Sequence, residues 1–402
     1  MTIRPRGSTV AAAALTTMLF LAPPVATAHA LSDPAKGSAP TAAAAALELP
    51  RPTGPYSVGA EVLHLVDHSR TDPWVPAAGA RELMVSLHHP ARSGAGAPAP
   101  YMSTEEARLM LVQRGLEDVV PATAVSSAAT HARLDARPAP GRFPLVLLSP
   151  GFGTPRATLT SLAEDLASRG YVVASVDHAY ESTGTSFPGG RVLTCAACDA
   201  DNATPDEAAA RALRKRVSTG RAADLAFVLD RLTGHRPAWD HARMIDPRRV
   251  AAVGHSIGGS AAASTMLSDS RVDAGVNMDG TFFEEIPATG LDGRPFLMLG
   301  TDARHSPGTT DTSWNDGWKR LDGWKRWLTV KGSGHFTFTD TPYLAEQAGL
   351  PVDPTAPLSG ARSTAITRAY VAAFLDRHLK ARHQRLLDGP TPGNPEVVFN
   401  NP

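Results

Sequence analysis

The sequence predicts an α/β domain: a mostly parallel central sheet with helices on both faces. Three observations carry this. From residue 143 to about 385, short apolar runs alternate with helical stretches, the pattern of successive βα units. Runs such as "FPLVLLSPG" and "YVVASVDHA" lack polar alternation, as expected of strands buried on both faces. One run, "RVAAVGHS", passes straight into the helical "IGGSAAASTMLS" through a serine set among glycines.

The first 30 residues stand apart. Arg4 and Arg6 precede the apolar "TVAAAALTTMLFLA", and "ATAHA" then offers small residues at Ala28 and Ala30. This reads as a secretory signal peptide cleaved after Ala30. The apolar run is about 14 residues, short of the roughly 20 that span a bilayer. No later segment is long and apolar enough to span, so a soluble extracellular protein without stable membrane insertion is expected. Residues 31–47 are rich in Ala and Pro and read as a flexible lead-in.

The domain is expected over 48–385. "YSVGAEVLHLVDH" and "RELMVSLHHPA" read as two antiparallel strands around a Pro/Gly turn. "STEEARLMLVQRGL" reads as a helix capped by Ser103 or Thr104, with acidic residues in its first turn. The Ala/Thr-rich stretch after it has no clear assignment. "FPLVLLSPG" opens the alternating region, followed by the helix "ATLTSLAEDLASRG" and the strand "YVVASVDHA". A polar loop follows, then a long helix to about residue 234, with a break expected near Ser218–Gly220. "AGVNMDG", "PFLMLGTD" and "RWLTVKGSGH" read as three more strands, and "ARSTAITRAYVAAFLDRHLKAR" as a closing amphipathic helix. Residues 386–402 are rich in Pro, Asn and Gly and read as a loose tail.

Charge excludes some partners. The 39 basic and 39 acidic side chains cancel, so no basic field invites nucleic acid. Nothing in the sequence indicates an oligomeric state. Cys195 and Cys198, the only cysteines, are close together in "LTCAACDAD", and outside the cell such a pair is expected to form a disulfide. A metal site would need more ligands at matching spacing, so no metal or cofactor is expected.

The chemistry centres on Gly254-His255-Ser256-Ile257-Gly258, a G-x-S-x-G motif between a strand and a helix. A nucleophile on so sharp a turn needs small neighbours two residues away on each side, which Gly254 and Gly258 supply. The helix N-terminus favours negative charge developing near Ser256. A serine hydroxyl needs a base, and the base an orienting acid. In the α/β-hydrolase arrangement the chain order is Ser, acid, His. The base is read as His335, on a glycine-rich loop after a strand, with His305 as the alternative. Asp279 and Asp302 both end strands, and position alone slightly favours Asp302. The oxyanion donors are read as the N–H groups of Ile257 and Phe152, the latter between Gly151 and Gly153. Asp224 is read as half of a structural ion pair, with Arg221 or a loop arginine. Tyr180 and Glu181 follow a strand at the same sheet edge.

The ordered set "LPRPTGPYSVGAEVLHLVD", "RELMVSLHHPA", "LLSPGFG", "VDHAYEST", "VGHSIGGSAAA", "VNMDGTFF" and "GSGHFTFTD" resembles the platelet-activating-factor acetylhydrolase family, plasma and intracellular type II, in its secreted bacterial branch. The resemblance spans about residues 48–385. It implies an α/β-hydrolase that needs no metal and cleaves short or oxidised acyl chains from phospholipids and other esters. It places the nucleophile on Ser256, the base on His335 and the acid on Asp279. The expected partner is therefore a small-molecule ester or a lipid. A lipase or cutinase-like enzyme for longer esters or polyesters is the alternative. A hydrolase fold retained only for binding is disfavoured because every catalytic part is present. Residues 101–140 and "TSWNDGWKRLDGWKRW" could border a cleft, although tryptophans at helical spacing more often pack in a core.

Overall fold

The computed structural model describes residues 46–92 and 96–401. The expected signal peptide and nearly all of the lead-in fall outside the described residues. Twelve strands are described: β1 (Ser57–Thr71), β2 (Ala80–Ala91), β3 (Arg133–Leu134), β4 (Phe143–Ser149), β5 (Val172–His178), β6 (Thr185–Phe187), β7 (Arg191–Leu193), β8 (Ile245–His255), β9 (Ala274–Met278), β10 (Phe296–Thr301), β11 (Lys325–Val330) and β12 (Val397–Phe399). All but the β6–β7 hairpin join one sheet in the order β12-β11-β10-β9-β8-β4-β5-β2-β1-β3. Pairing is parallel from β5 through β4, β8, β9 and β10 to β11. It is antiparallel where β2 meets β1 and β5, and where β12 meets β11.

The helices are α1 (Thr104–Gln113), α2 (Ala122–Ser126), α3 (Thr160–Ser168), α4 (Ala196–Asn202), α5 (Glu207–Thr233), α6 (Ile257–Ser268), α7 (Asp302–His305), α8 (Ser313–Arg320), α9 (Thr341–Gln347) and α10 (Gly360–Leu379). Alternate residues of the parallel strands feed two cores, as the two-residue period of a strand requires. Leu145, Leu147, Val250 and Ala252 pack with Leu225 and Val228 of α5 and Met266 of α6. Val146, Leu148, Ala251 and Val253 pack with Leu162 of α3 and Tyr370 and Phe374 of α10. None of the described helices is long and apolar enough to cross a membrane. Ser103 caps α1 in a capping box with Glu106.

Two expectations change, and one open stretch gains an assignment. The long helix α5 runs unbroken through Ser218 and Gly220. Ser218 is buried and its hydroxyl meets those of Ser260 and Ser264 on α6, so small polar residues here serve close helix packing. The tail over 386–402 is not loose throughout. Val397–Phe399 pairs with Leu328–Val330 as the outermost strand, and Leu387 and Val397 are buried. Within the unassigned Ala/Thr-rich stretch lies α2, which with α1 forms a small separate core that includes Leu344 of α9. Trp314 and Trp327 are fully buried in the main core.

Candidate active site

The turn from β8 to α6 carries Ser256 at φ 55°, ψ −128°, a left-handed conformation that few side-chain-bearing residues adopt. The glycines around it leave no room for larger residues. A β-carbon on Gly254 would stand 2.1 Å from the Gly258 carbonyl oxygen, and one on Gly258 2.1 Å from that of Ser149. The Ser256 N–H donates to the Met278 carbonyl at 2.7 Å, tying the turn to the end of β9.

The next turn, Asn277 to Gly280, is built by one side chain. Asn277 accepts from the Gly280 N–H at 2.8 Å and donates to the Gly280 carbonyl at 2.7 Å. Asp279 is thereby held at φ 57° with its carboxylate buried. His335 sits in a short 3-10 turn, residues 335–338, after β11. Its Nε2 lies 2.9 Å from Ser256 Oγ and its Nδ1 2.6 Å from Asp279 Oδ2. With Asp279 ionised, Nδ1–H donates to it and Nε2 accepts the serine proton. Asp302 begins α7 and is half-exposed. Of the two carboxylates considered from sequence, Asp279 is the one that reaches His335.

His305, the alternative base, reaches the same carboxylate from the other side. Its Nδ1 lies 2.6 Å from Asp279 Oδ1, an oxygen that also accepts the Thr301 N–H at 2.7 Å. Burial alone would raise the Asp279 carboxyl. Hydrogen bonds from His305 and His335 outweigh it and hold Asp279 well below the ordinary carboxylate range.

Ile257 is the first residue of α6, so its N–H belongs to the first turn, whose donors have no intrahelical acceptor. Phe152 follows β4 in a loop shaped by Gly153 at φ 72°. Phe152, Trp74 and Phe283 pack with Ile257, Leu213 and Val217 as one apolar group. Arg216 lies 5.3 Å from the Trp74 ring and Arg211 5.9 Å from that of Phe283. Beside His335, Phe336 is 39% exposed, and the Arg114 guanidinium lies 4.4 Å from its ring. Aromatic side chains therefore adjoin both Ile257 and His335. A cavity of about 210 Å³ has His335, Phe336 and Leu350 in its wall. A cavity of about 470 Å³, walled by Met84, His88, Arg156 and Asp177, contains none of Ser256, Asp279 and His335.

Several supports were not legible as such. Glu181 is buried, and both its carboxylate oxygens accept from arginines: Arg221 at 2.7 Å and Arg81 at 2.8 Å. Burial would raise this carboxyl, but the two guanidinium charges hold it below its ordinary value. Arg221 also donates to the Pro150 carbonyl at 2.5 Å, and the Glu181 carbonyl accepts the Gly153 N–H at 3.0 Å. A buried ion network thus braces the loop that carries Phe152. Asp224 pairs with Arg81 and Arg70 rather than Arg221, which binds Glu181 instead. His255 lies under His335 with its Nε2 2.7 Å from the His335 carbonyl. Burial, aided by the nearby His335 ring, pushes His255 down to about 3, so it stays neutral. Cys195 and Cys198 form a disulfide at the start of α4.

Comparison with known proteins agrees with this architecture. The family described as platelet-activating factor acetylhydrolase, isoform II, matches residues 41–189. A probable 1-alkyl-2-acetylglycerophosphocholine esterase of Arthroderma benhamiae is 30% identical over 383 residues, covering 87% of this chain and 93% of that protein. A platelet-activating factor acetylhydrolase of Cavia porcellus is 24% identical over 232 residues, covering 50% of this chain and 49% of the relative. A solved ferulic acid esterase from Streptomyces cinnamoneus superposes with a TM-score of 0.78 at 45% identity, covering 88% of this chain and 99% of that one. The chain is an ester hydrolase with the α/β-hydrolase fold, and it belongs to the platelet-activating factor acetylhydrolase family.

Proposed function

We propose that this protein is a secreted serine carboxylic-ester hydrolase that cleaves short acyl esters through an acyl-enzyme. The observation that carries the reading is the unbroken hydrogen-bonded series from Ser256 through His335 to Asp279. Ser256 Oγ attacks the ester carbonyl while its proton passes to His335 Nε2. The N–H groups of Ile257 and Phe152 hold the resulting oxyanion. The tetrahedral species collapses, and His335 gives its proton to the departing alcohol. Water then attacks the acyl-enzyme, losing a proton to His335, and that proton returns to Ser256 as the acid leaves. Asp279 keeps the imidazole in the tautomer that these steps need. Secretion is supported by the leader-like first 30 residues and by the disulfide.

One observation favours a second substrate class. The aromatic group of Trp74, Phe152 and Phe283 beside Ile257 suits a flat aromatic acyl group, and the 45% identical structure is that of a ferulic acid esterase. Initial rates of the mature protein and Ser256→Ala on p-nitrophenyl acetate, p-nitrophenyl octanoate and methyl ferulate separate the readings. The short-acyl reading expects acetate to be cleaved best and the variant to be inactive. Preference for ferulate moves the substrate to aromatic esters. Preference for octanoate makes the enzyme lipase-like. A variant as active as wild type overturns the mechanism.

A further inference from the structure

Behind Asp279 the hydrogen-bonded series continues. His305 is fully buried. Its Nδ1 lies 2.6 Å from Asp279 Oδ1 and its Nε2 3.1 Å from Asp311 Oδ2. An ionised carboxylate only accepts hydrogen bonds, and a neutral imidazole has only one N–H. Both bonds can form together only if His305 carries both ring protons and a positive charge, or if one carboxyl is protonated. The donors around each carboxylate favour the first case: Asp279 also accepts from the Thr301 N–H and faces His335 Nδ1, and Asp311 accepts from the Ser313 N–H. Both carboxyls are held below their ordinary range, because the hydrogen bonds each receives outweigh burial. Asp311 accepts from Thr281 Oγ1 at 2.5 Å and from the Ser313 N–H at 2.9 Å. Burial alone would lower His305, yet the hydrogen bonds to Asp279 and Asp311 raise it above its ordinary value.

The surroundings suit a cation. The His305 ring stacks on Trp314 with centroids 4.2 Å apart and planes 19° from parallel, a face that attracts positive charge. Trp327 Nε1 donates to the His305 carbonyl at 2.6 Å, and Trp314 Nε1 to the Gly280 carbonyl at 2.7 Å. Trp314 of α8 thus touches both the His305 ring and the Asp279 turn, while Trp327 of β11 holds the His305 backbone.

We infer that His305 and Asp311 are positioning residues for the Ser256 reaction: His305 is a lasting imidazolium clamped between two carboxylates, and it sets both the orientation and the field of Asp279. This rests on the proposed roles of Ser256, Asp279 and His335. The field argument has a sign. A lone buried carboxylate beside His335 favours the protonated ring and opposes release of its proton to the leaving group. The cation behind Asp279 offsets that pull. The groups facing His335 are Asp279, the neutral His255 with its ring centroid 4.8 Å away, and Arg114 across Phe336. Those facing His305 are Asp279, Asp311 and the uncharged indole of Trp314. In this set His305 supplies the cation hydrogen-bonded to the Asp279 oxygen that His335 leaves free.

The test uses the mature protein with ¹⁵N-labelled histidine rings. At pH 8, the wild type should show one histidine with both ring nitrogens protonated. That signature should vanish in His305→Asn and in Asp311→Asn. A wild-type spectrum with no doubly protonated ring at pH 8 overturns the inference. The kinetic arm uses His305→Asn, whose amide can still donate to Asp279 but carries no charge. The acidic limb of its kcat/KM profile should move up by about one pH unit. A slower variant with an unmoved limb would show that His305 acts through packing alone. A Ser256→Ala protein that still turned over ester would overturn the mechanism and the kinetic arm. The ring-proton signature of His305 would remain readable in that protein, so the two failures are distinguishable.

Discussion

The carbonyl oxygen of Ser256 stands 2.0 Å from the place a β-carbon would occupy on Gly280. The nucleophile turn and the acid turn are therefore packed backbone to backbone, and neither can move without the other. Gly280→Ala should displace both. Misplacement of reacting groups by about 1 Å costs roughly 100-fold, so kcat should fall by about that factor while the protein still folds. Steady-state kinetics beside a circular-dichroism melt check this.

Asp279 and Asp302 are separated by substitution to the amide. Asp279→Asn should keep the shape of the turn but present the wrong hydrogen-bonding pattern to His335, reducing kcat by about 10⁴-fold. Asp302→Asn should stay within about twofold of wild type, since surface changes away from special features have small effects. Equal losses in the two variants would contradict the geometry described.

Arg221→Leu removes a buried cation from Glu181 and the hydrogen bond to Pro150. Breaking one side of a buried pair costs about 3–5 kcal/mol. Here Arg81 still contacts Glu181, so the lower end is expected. Urea unfolding gives the value, and a raised KM would show that the Phe152 loop has loosened.

Glu164 gives a pH dependence of stability. Burial pushes its carboxyl up to about 7, although its Oε1 accepts from the His131 and Ala132 N–H groups. The folded state keeps this proton where the unfolded chain has already released it. The penalty is absent at low pH and grows as pH rises from the ordinary carboxyl value through about 7. Glu164→Gln retains an acceptor and cannot ionise. Its stability relative to wild type should increase between pH 5 and pH 8 by about 3 kcal/mol, read from unfolding curves at the two values.

Much of the sheet was legible because parallel strands buried on both faces leave continuous apolar runs, as in β4, β5 and β8. The nucleophile turn was legible because its sterics force glycine at fixed positions. The break expected in α5 does not occur because contact of Ser218 with Ser260 and Ser264 of α6 outweighs its weak local propensity. The strand in the tail leaves little trace in the sequence because three residues carry almost no periodicity. For the acid, position alone slightly favours Asp302, and the resemblance carried by "VNMDGTFF" points to Asp279 instead. In the fold, what sets Asp279 apart is the Asn277 side chain closing the turn around it. The Arg81, Glu181 and Arg221 network joins residues up to 140 positions apart, and no local pattern announces such pairings.

The strand β12 covers the edge of β11. Strand edges with free N–H and C=O groups invite pairing with a second molecule. Here the Lys331 N–H donates to the Glu396 carbonyl at 2.9 Å and the Asn400 N–H to the Trp327 carbonyl at 2.8 Å, so the last few residues occupy the rim of β11. A protein shortened before Glu396 would present that rim bare and would be prone to self-association through it.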